Sequence, residues 1–272
     1  ATPEQRAAMR QVWKEAAAAA ERQRRDEIEL AARRAQRMWT RLAPHGASPY
    51  LASKGVQGAP GIKYTPNGVA VVPLADTGGK IYGLQFLRTA AQAKQGRRPA
   101  KEFWPTGLGK KGHLHLIGHD PHWIVLVCEG YATGLSLHAA TGLPVVVAFD
   151  AGNLQPVAEA VRKRWKRCRI LVCADDDIFG TCPECATRFV LPDHPTDCPA
   201  CGKAHRRSNA GVAGASAAAL AVSGEWIKPE FSDEAARQAQ HAETGAKLAD
   251  FNDLHMAAGL AAVGAQITAR LG

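Results

Sequence analysis

The sequence has no apolar run approaching the roughly 20 residues that would span a bilayer, and its polar, alanine-rich start has no signal-peptide core. A soluble cytoplasmic chain is therefore expected. The absence of an initiating methionine points to an excised or processed fragment whose flanking domains are missing. There is no internal repeat, aromatics make up only 6% of the chain, and the seven cysteines do not form a disulfide framework. Cys128, Cys168 and Cys173 sit in or beside apolar runs, whereas Cys182, Cys185, Cys198 and Cys201 form two C-x-x-C pairs. What is present is 272 residues, enough for one large domain or two modest ones, and a formal charge of +9. That excess favours an anionic partner, nucleic acid being the usual one.

Thr2-Pro3-Glu4-Gln5 combines an N-cap, a first-turn proline and a capping-box glutamine, and helical apolar spacing continues from Ile28 to Leu42 before Pro44 and Gly46. This predicts a long helical arm. From Pro49 to Gly118, short apolar runs separated by glycine and proline predict twisted antiparallel strands, with Asp76-Thr77-Gly78-Gly79 as a hairpin turn. A basic stretch with Arg88, Lys94, Arg97, Arg98, Lys101, Lys110 and Lys111 surrounds Phe103 and Trp104, a mixture suited to phosphates and stacked bases. From Trp123 onward, strand and helix patterns alternate, which predicts a parallel sheet with helices on its faces.

In such a sheet, ligands bind beyond the carboxyl ends of the strands. Trp123 to Cys128 leads into Glu129, Val145 to Phe149 into Asp150, and Arg169 to Ala174 into Asp175-Asp176-Asp177. Alternation points Asp175 and Asp177 to one side, where they can share a hard cation with Glu129, and turns Asp176 elsewhere. Each acid taken singly is equally well read as a helix cap. The spacing Cys182-x2-Cys185, twelve residues, Cys198-x2-Cys201 is that of a structural tetrathiolate zinc ribbon, with Pro183, Pro199 and Gly202 in its tight turns. His113, His115, His119 and His122 are expected on a strand that exposes them, and Arg162 to Arg169 reads as the wet side of a helix or a DNA contact.

Glu129-Gly130-Tyr131-Ala132-Thr133-Gly134, VVAFDAGNL at 146–154, ADDD at 174–177 and DFNDL at 250–254 resemble the Toprim domain of DNA primases carried by plasmids, phages and integrative elements. Upstream, Pro49-Tyr50-Leu51, Lys54-Gly55-Val56, Val72-Pro73-Leu74, Gly83-Leu84-Gln85-Phe86, Lys101 and Lys110-Lys111-Gly112 are similar to the amino-terminal lobe of those primases. The likeness extends from about Pro49 to Gly259, and Asn209-Ala210-Gly211 matches the family's helix start after Asp-x-Asp. The zinc ribbon placed before that point departs from the family pattern.

The resemblance implies a Toprim, Rossmann-like α/β fold: a parallel sheet flanked by helices, preceded by a small α+β lobe and a long N-terminal helix. The expected division is a helical arm at 1–46, a basic α+β lobe at 47–120, a catalytic domain at 121–260 with its insert at about 180–206, and a C-terminal helix or tail at 261–272. It implies Glu129, Asp175 and Asp177 as catalytic, these three with Asp250 and Asp253 as ligands of magnesium or manganese, and Arg88, Lys101, Lys110, Lys111, Asp150 and Asn153 as nucleotide or template contacts. The implied activity is synthesis of short RNA primers on single-stranded DNA from nucleoside triphosphates, in a bacterial cytoplasm, on a mobile element and beside a replicative helicase. A metal-dependent Toprim nuclease and a non-catalytic nucleic-acid-binding module are the competing readings. A topoisomerase would need a nucleophilic tyrosine on a separate large domain, and Tyr50, Tyr64, Tyr82 and Tyr131 are the only tyrosines.

Overall fold

The computed structural model describes residues 2–191, 196–198, 200–205 and 208–272. Helix α1 (Pro3–Thr40) starts at a complete capping box in which the Thr2 hydroxyl and the Gln5 side chain each accept a backbone N–H of the other residue. The described side chains of its first six turns are exposed, and only from Ile28 does it bury a face, with Ala31, Ala32 and Ala35 shut in. That face covers an antiparallel sheet in the order β1 (Lys63–Tyr64), β2 (Ala70–Ala75), β3 (Ile81–Leu87), β4 (Lys101–Trp104), which follows the short α2 (Pro49–Ser53). The β2–β3 hairpin turns at Asp76, whose carboxylate accepts the Gly78 and Lys80 N–H groups. Helix α3 (Ala90–Gly96) joins β3 to β4.

Past the small sheet come β5 (His115–Ile117), β6 (Ile124–Cys128), α4 (Tyr131–Thr141), β7 (Val145–Val147), α5 (Ala151–Arg164) and β8 (Arg169–Cys173). The ribbon hairpins β9 (Phe179–Thr181) with β10 (Arg188–Val190), and β11 (Thr196–Asp197) with β12 (Ala204–His205), precede α6 (Ala210–Ala221), β13 (Glu225–Ile227), α7 (Glu234–Thr244) and α8 (Phe251–Leu271). The larger sheet runs β13-β8-β6-β7-β5, parallel except for the edge strand β5. The antiparallel edge was not legible in the sequence. It arises because the chain enters from the small lobe through a backbone bridge between Ala75 and Leu114.

Fully apolar strands such as IVLVC and RILVC need cover on both faces. One face carries α4 and α8, the other α5 and α6. The first of these cores runs on into Leu51, Ile62, Val72 and Leu74, so the small lobe and the larger sheet share apolar packing. Helix α8 is broken at Gly259, whose φ of 82° no helix accommodates. His115 corrects the expectation of exposed histidines: it is buried on β5, edge-on to Tyr131 at 5.5 Å, because β5 turns that side of the strand toward the shared core. Burial pushes the imidazole down to about 4. His119 and His122 are exposed. Phe103 and Trp104 are half-buried, Phe103 against Phe149 of the larger sheet and Trp104 under Arg34 of α1, so they pack between elements and are no open stacking platform.

Candidate active site

Strands β8, β6 and β7 are neighbours, and Cys128 pairs in register with both Cys173 and Val147. Their carboxyl ends therefore finish level, and the chain that leaves them carries Glu129, Asp150 and Asp175 to one crest of the sheet. Phe149 sits at φ 76°, a conformation costly for a side chain of its size, and its N–H donates to the Glu129 carbonyl at 2.8 Å. That turn lets α5 begin at once, with the Asp150 carboxylate as its N-cap. On the other flank, Gly211 allows α6 to start against the acidic segment. A Cβ there would lie 2.2 Å from the Asp175 carbonyl oxygen, and the Gly211 N–H donates to Asp177 Oδ2 at 3.1 Å. Asn209 Oδ1 accepts the Asp177 N–H at 3.0 Å.

Two carboxylate oxygens at this crest, Glu129 Oε1 and Asp175 Oδ1, are buried without a hydrogen-bond partner. Burial, and then the charges of Asp177 and Asp150, push the Glu129 carboxyl up to about 7, against opposition from Lys101 and from the Ala151 N–H. Burial followed by Asp250, Glu129 and Asp177 holds Asp175 well above the usual carboxylate range, again opposed by Lys101. Glu129 and Asp175 thus both feel acidic neighbours, and Lys101 is the cation that opposes both shifts. The acids do not touch as a knot: among the described residues only the four cysteines bring three or more ligand atoms within 4.8 Å of one another. Buried oxygens without partners, set among further carboxylates, fit a hard divalent cation.

Asp250 is the N-cap of α8, and Asp253 closes its capping box by accepting the Ala249 and Asp250 N–H groups. Burial and Asp250 raise Asp253, with Lys54 3.9 Å away in opposition. The same two aspartates, after burial, raise the Tyr50 phenol to about 12. Lys110 pairs with Asp150 and lies over the Phe103 ring at 4.9 Å, and Lys111 beside it is exposed. Asn153 is 2% exposed and all its amide is engaged: it accepts from Gly112 N–H and donates to the His113 and Ala148 carbonyls. It fixes the loop that carries Lys110 and Lys111. Arg88 is bound to Glu102 at 2.9 Å and to the Pro99 carbonyl, and its side chain is 13% exposed.

Asp176 turns away from its neighbours, as alternation predicts, into a buried network that the sequence did not announce. Arg237 Nη1 donates to its Oδ2 at 3.0 Å, Lys228 Nζ lies 3.2 Å from Oδ1, and Asn209 Nδ2 donates to Oδ1 at 2.8 Å. The partners stand 33, 52 and 61 residues away, so no local pattern could have revealed them. In the insert, Cys182 and Cys201 Sγ are 3.8 Å apart and Cys185 and Cys198 Sγ 3.6 Å. Zinc–sulfur bonds of about 2.3 Å give a tetrahedron with edges of about 3.8 Å, so the four cysteines fit a zinc ion. Ala186 and Gly202, at φ 58° and 67°, make the matching turn after each pair. Pro199 and parts of the expected insert at 192–195 and 206–207 lie outside the described residues.

A mostly parallel sheet with an acidic crest and helices on both faces defines a Rossmann-like α/β domain. The chain belongs to the Toprim domain family, whose model matches residues 124–261, about half of its length. It is similar to two proteins of Escherichia coli called DNA primase TraC: 28% identical over 208 residues, covering 75% of this chain and 12% of that one, and 33% identical over 167 residues, covering 59% and 15%. The chain thus spans a small part of either relative. Among solved structures, it is similar to the primase of Aquifex aeolicus (zinc-binding and RNA polymerase domains), 15% identical over 90% of this chain and 61% of that one with a TM-score of 0.47. The primase fragment of the bacteriophage T7 primase-helicase protein is likewise 15% identical, over 80% and 68%, with a TM-score of 0.43. No helix among the described residues is long and apolar enough to cross a membrane.

Proposed function

We propose that this chain is the catalytic core of a DNA primase, joining ribonucleotides into short primers on single-stranded DNA. The observation that carries the reading is the pair of buried, unpartnered oxygens, Glu129 Oε1 and Asp175 Oδ1, inside a ring of further carboxylates. Leaving such atoms bare costs about 1–3 kcal/mol each or more, which is tolerated where a ligand completes them. In this reading Glu129, Asp175, Asp177, Asp250 and Asp253 would hold magnesium or manganese. When bound, the ion supplies neutralisation of the charge on the triphosphate and on the oxygens that attack and leave.

The remaining work falls to the chain itself. Glu129 keeps a proton affinity near neutrality and suits removal of the proton from the attacking 3′-hydroxyl. Lys101, the cation both Glu129 and Asp175 feel, is positioned for a phosphate that arrives between them. Lys110 and Lys111, carried on the loop that Asn153 fixes, extend the basic side toward triphosphate or template, and Asp150 holds Lys110 in line. Arg88, tied to Glu102, shapes the strand that presents Lys101. The cysteine insert holds structural zinc. Template DNA and nucleoside triphosphates are the proposed partners, with a replicative helicase as a candidate for the longer protein.

Incubation with single-stranded DNA, ribonucleotides and magnesium tests the reading. Labelled oligonucleotides that need both template and metal are expected. Shortening of the DNA with no synthesis would replace the primase reading by a Toprim nuclease, and neither outcome would leave a nucleic-acid-binding module.

A further inference from the structure

The acidic segment at 175–177 has no regular structure to hold it, yet two of its three side chains must face the cleft and the third must not. We propose that Arg237, on α7, is a positioning residue that sets how well the Asp175–Asp177 segment and Asp250 take up a divalent cation; the inference rests on the metal-binding reading of that cluster.

Arg237 is 4% exposed and lies between two rings, Phe179 at 4.8 Å and Phe231 at 4.5 Å. Its Nη1 reaches Asp176 Oδ2 at 3.0 Å, and its Nη2 the Asp176 carbonyl at 3.5 Å. Asp176 is 1% exposed, and its anchoring therefore dictates which way Asp175 and Asp177 project on either side of it. The guanidinium also holds the second acidic segment, because Nε donates to the Leu248 carbonyl at 2.7 Å while the Asp176 N–H donates to the Ala249 carbonyl at 2.7 Å. Asp250 follows directly. One planar fork thus ties together two chain segments whose carboxylates, Asp175 and Asp250, interact with one another, a task that a lysine, with a single nitrogen to donate from, does less well.

The bracket reaches the cysteine ribbon too. Phe179, against which Arg237 stacks, opens β9, and β9 runs into Cys182. From the same helix, His241 reaches the Gly180 carbonyl at 3.2 Å, and ribbon residue Arg188 donates to the Ala242 and Glu243 carbonyls at the end of α7. Helix α7 is therefore held between the ribbon and the acidic crest, and Arg237 is where the two meet.

The test measures free Mn²⁺ by electron paramagnetic resonance during titration into the zinc-loaded full chain, a readout independent of catalysis. Arg237→Gln should weaken Mn²⁺ uptake by about tenfold or more, the usual cost of losing a group that orients a ligand. Arg237→Lys should recover part of the loss. Because Arg237→Gln also removes the buried cation beside Asp176 and leaves that charge to the half-exposed Lys228, the neutral pair Arg237→Met with Asp176→Asn is the companion variant. It should keep zinc content and circular dichroism yet bind Mn²⁺ as weakly as Arg237→Gln. Folded, zinc-loaded variants that bind Mn²⁺ as tightly as the wild type would overturn the inference while leaving the metal reading intact. A wild-type protein that takes up no Mn²⁺ would instead remove the metal reading and the inference with it.

Discussion

A carboxylic acid placed among other carboxylates and half out of water holds its proton longer than it would in a loose chain, and Glu129 shows how that links catalysis to stability. Its pKa rises from 4.5 to about 7 on folding. Below about 4.5 both the folded and unfolded chains carry the proton, so the group is neutral in its effect. Between 4.5 and 7 the unfolded chain ionises first, and above 7 the folded protein bears the full cost of the buried charge. Without magnesium or manganese, the zinc-loaded protein is therefore expected to lose thermal stability as pH rises through this window, and magnesium should restore it. Thermal melts of the zinc-loaded protein in magnesium-free buffer and in magnesium across that range check this; a flat profile without magnesium would count against the crowded cluster. Glu129→Gln should remove the penalty, leaving the metal-free fold as stable or more so, while lowering primer synthesis by about a hundredfold or more. Equal synthesis by that variant would reject its assigned part. Asp253, also raised, adds to the same slope with the same sign.

Secondary elements divide the labour unequally. The ribbon's two hairpins are short, three and two residues to a strand, and among the described residues their apolar cluster consists of Cys182, Phe189, Leu191 and Cys198. So small a core cannot fold alone, and the metal must supply the difference. Replacing Cys198 and Cys201 by Ser should take metal analysis from about one zinc per chain to almost none and expose the 180–205 region to protease. Unchanged zinc content would refute the tetrathiolate. Helix α1 is the opposite case. Its first turns bury no described side chain, and Met9, Val12 and Trp13 are open to solvent, so packing contributes to its stability only from Ile28 on. Removing residues 1–20 should shift the melting midpoint by no more than about 2 °C, whereas Ala35→Glu, at a position with no exposure, should lower it by several degrees. A large shift on truncation would mean that the arm packs where the structure leaves it bare.

At the level of the whole molecule, the sequence announces what is repeated or local. Apolar runs each ending in an acid, Glu129, Asp150 and Asp175, disclose both the sheet and its crest, because strand order lines their ends up. Cap residues disclose α1 and α5, and cysteine spacing discloses the ribbon. Three things stay hidden for one physical reason: they depend on which distant segments meet. His115 is buried because the small lobe and the larger sheet share a core. Asn153, legible as a polar residue near a strand end, spends its amide on a loop 40 residues away. Arg237, in a segment that no motif singles out, becomes a hub of the acidic segment through a contact across 61 residues.

Diffraction from crystals of the zinc-loaded protein soaked in manganese, with anomalous data collected for that metal, is the most direct test. The account predicts a peak at the crest of the sheet that Glu129 Oε1 and Asp175 Oδ1 both approach, each directly or through one water. A filled cysteine site together with no manganese at that crest would contradict it.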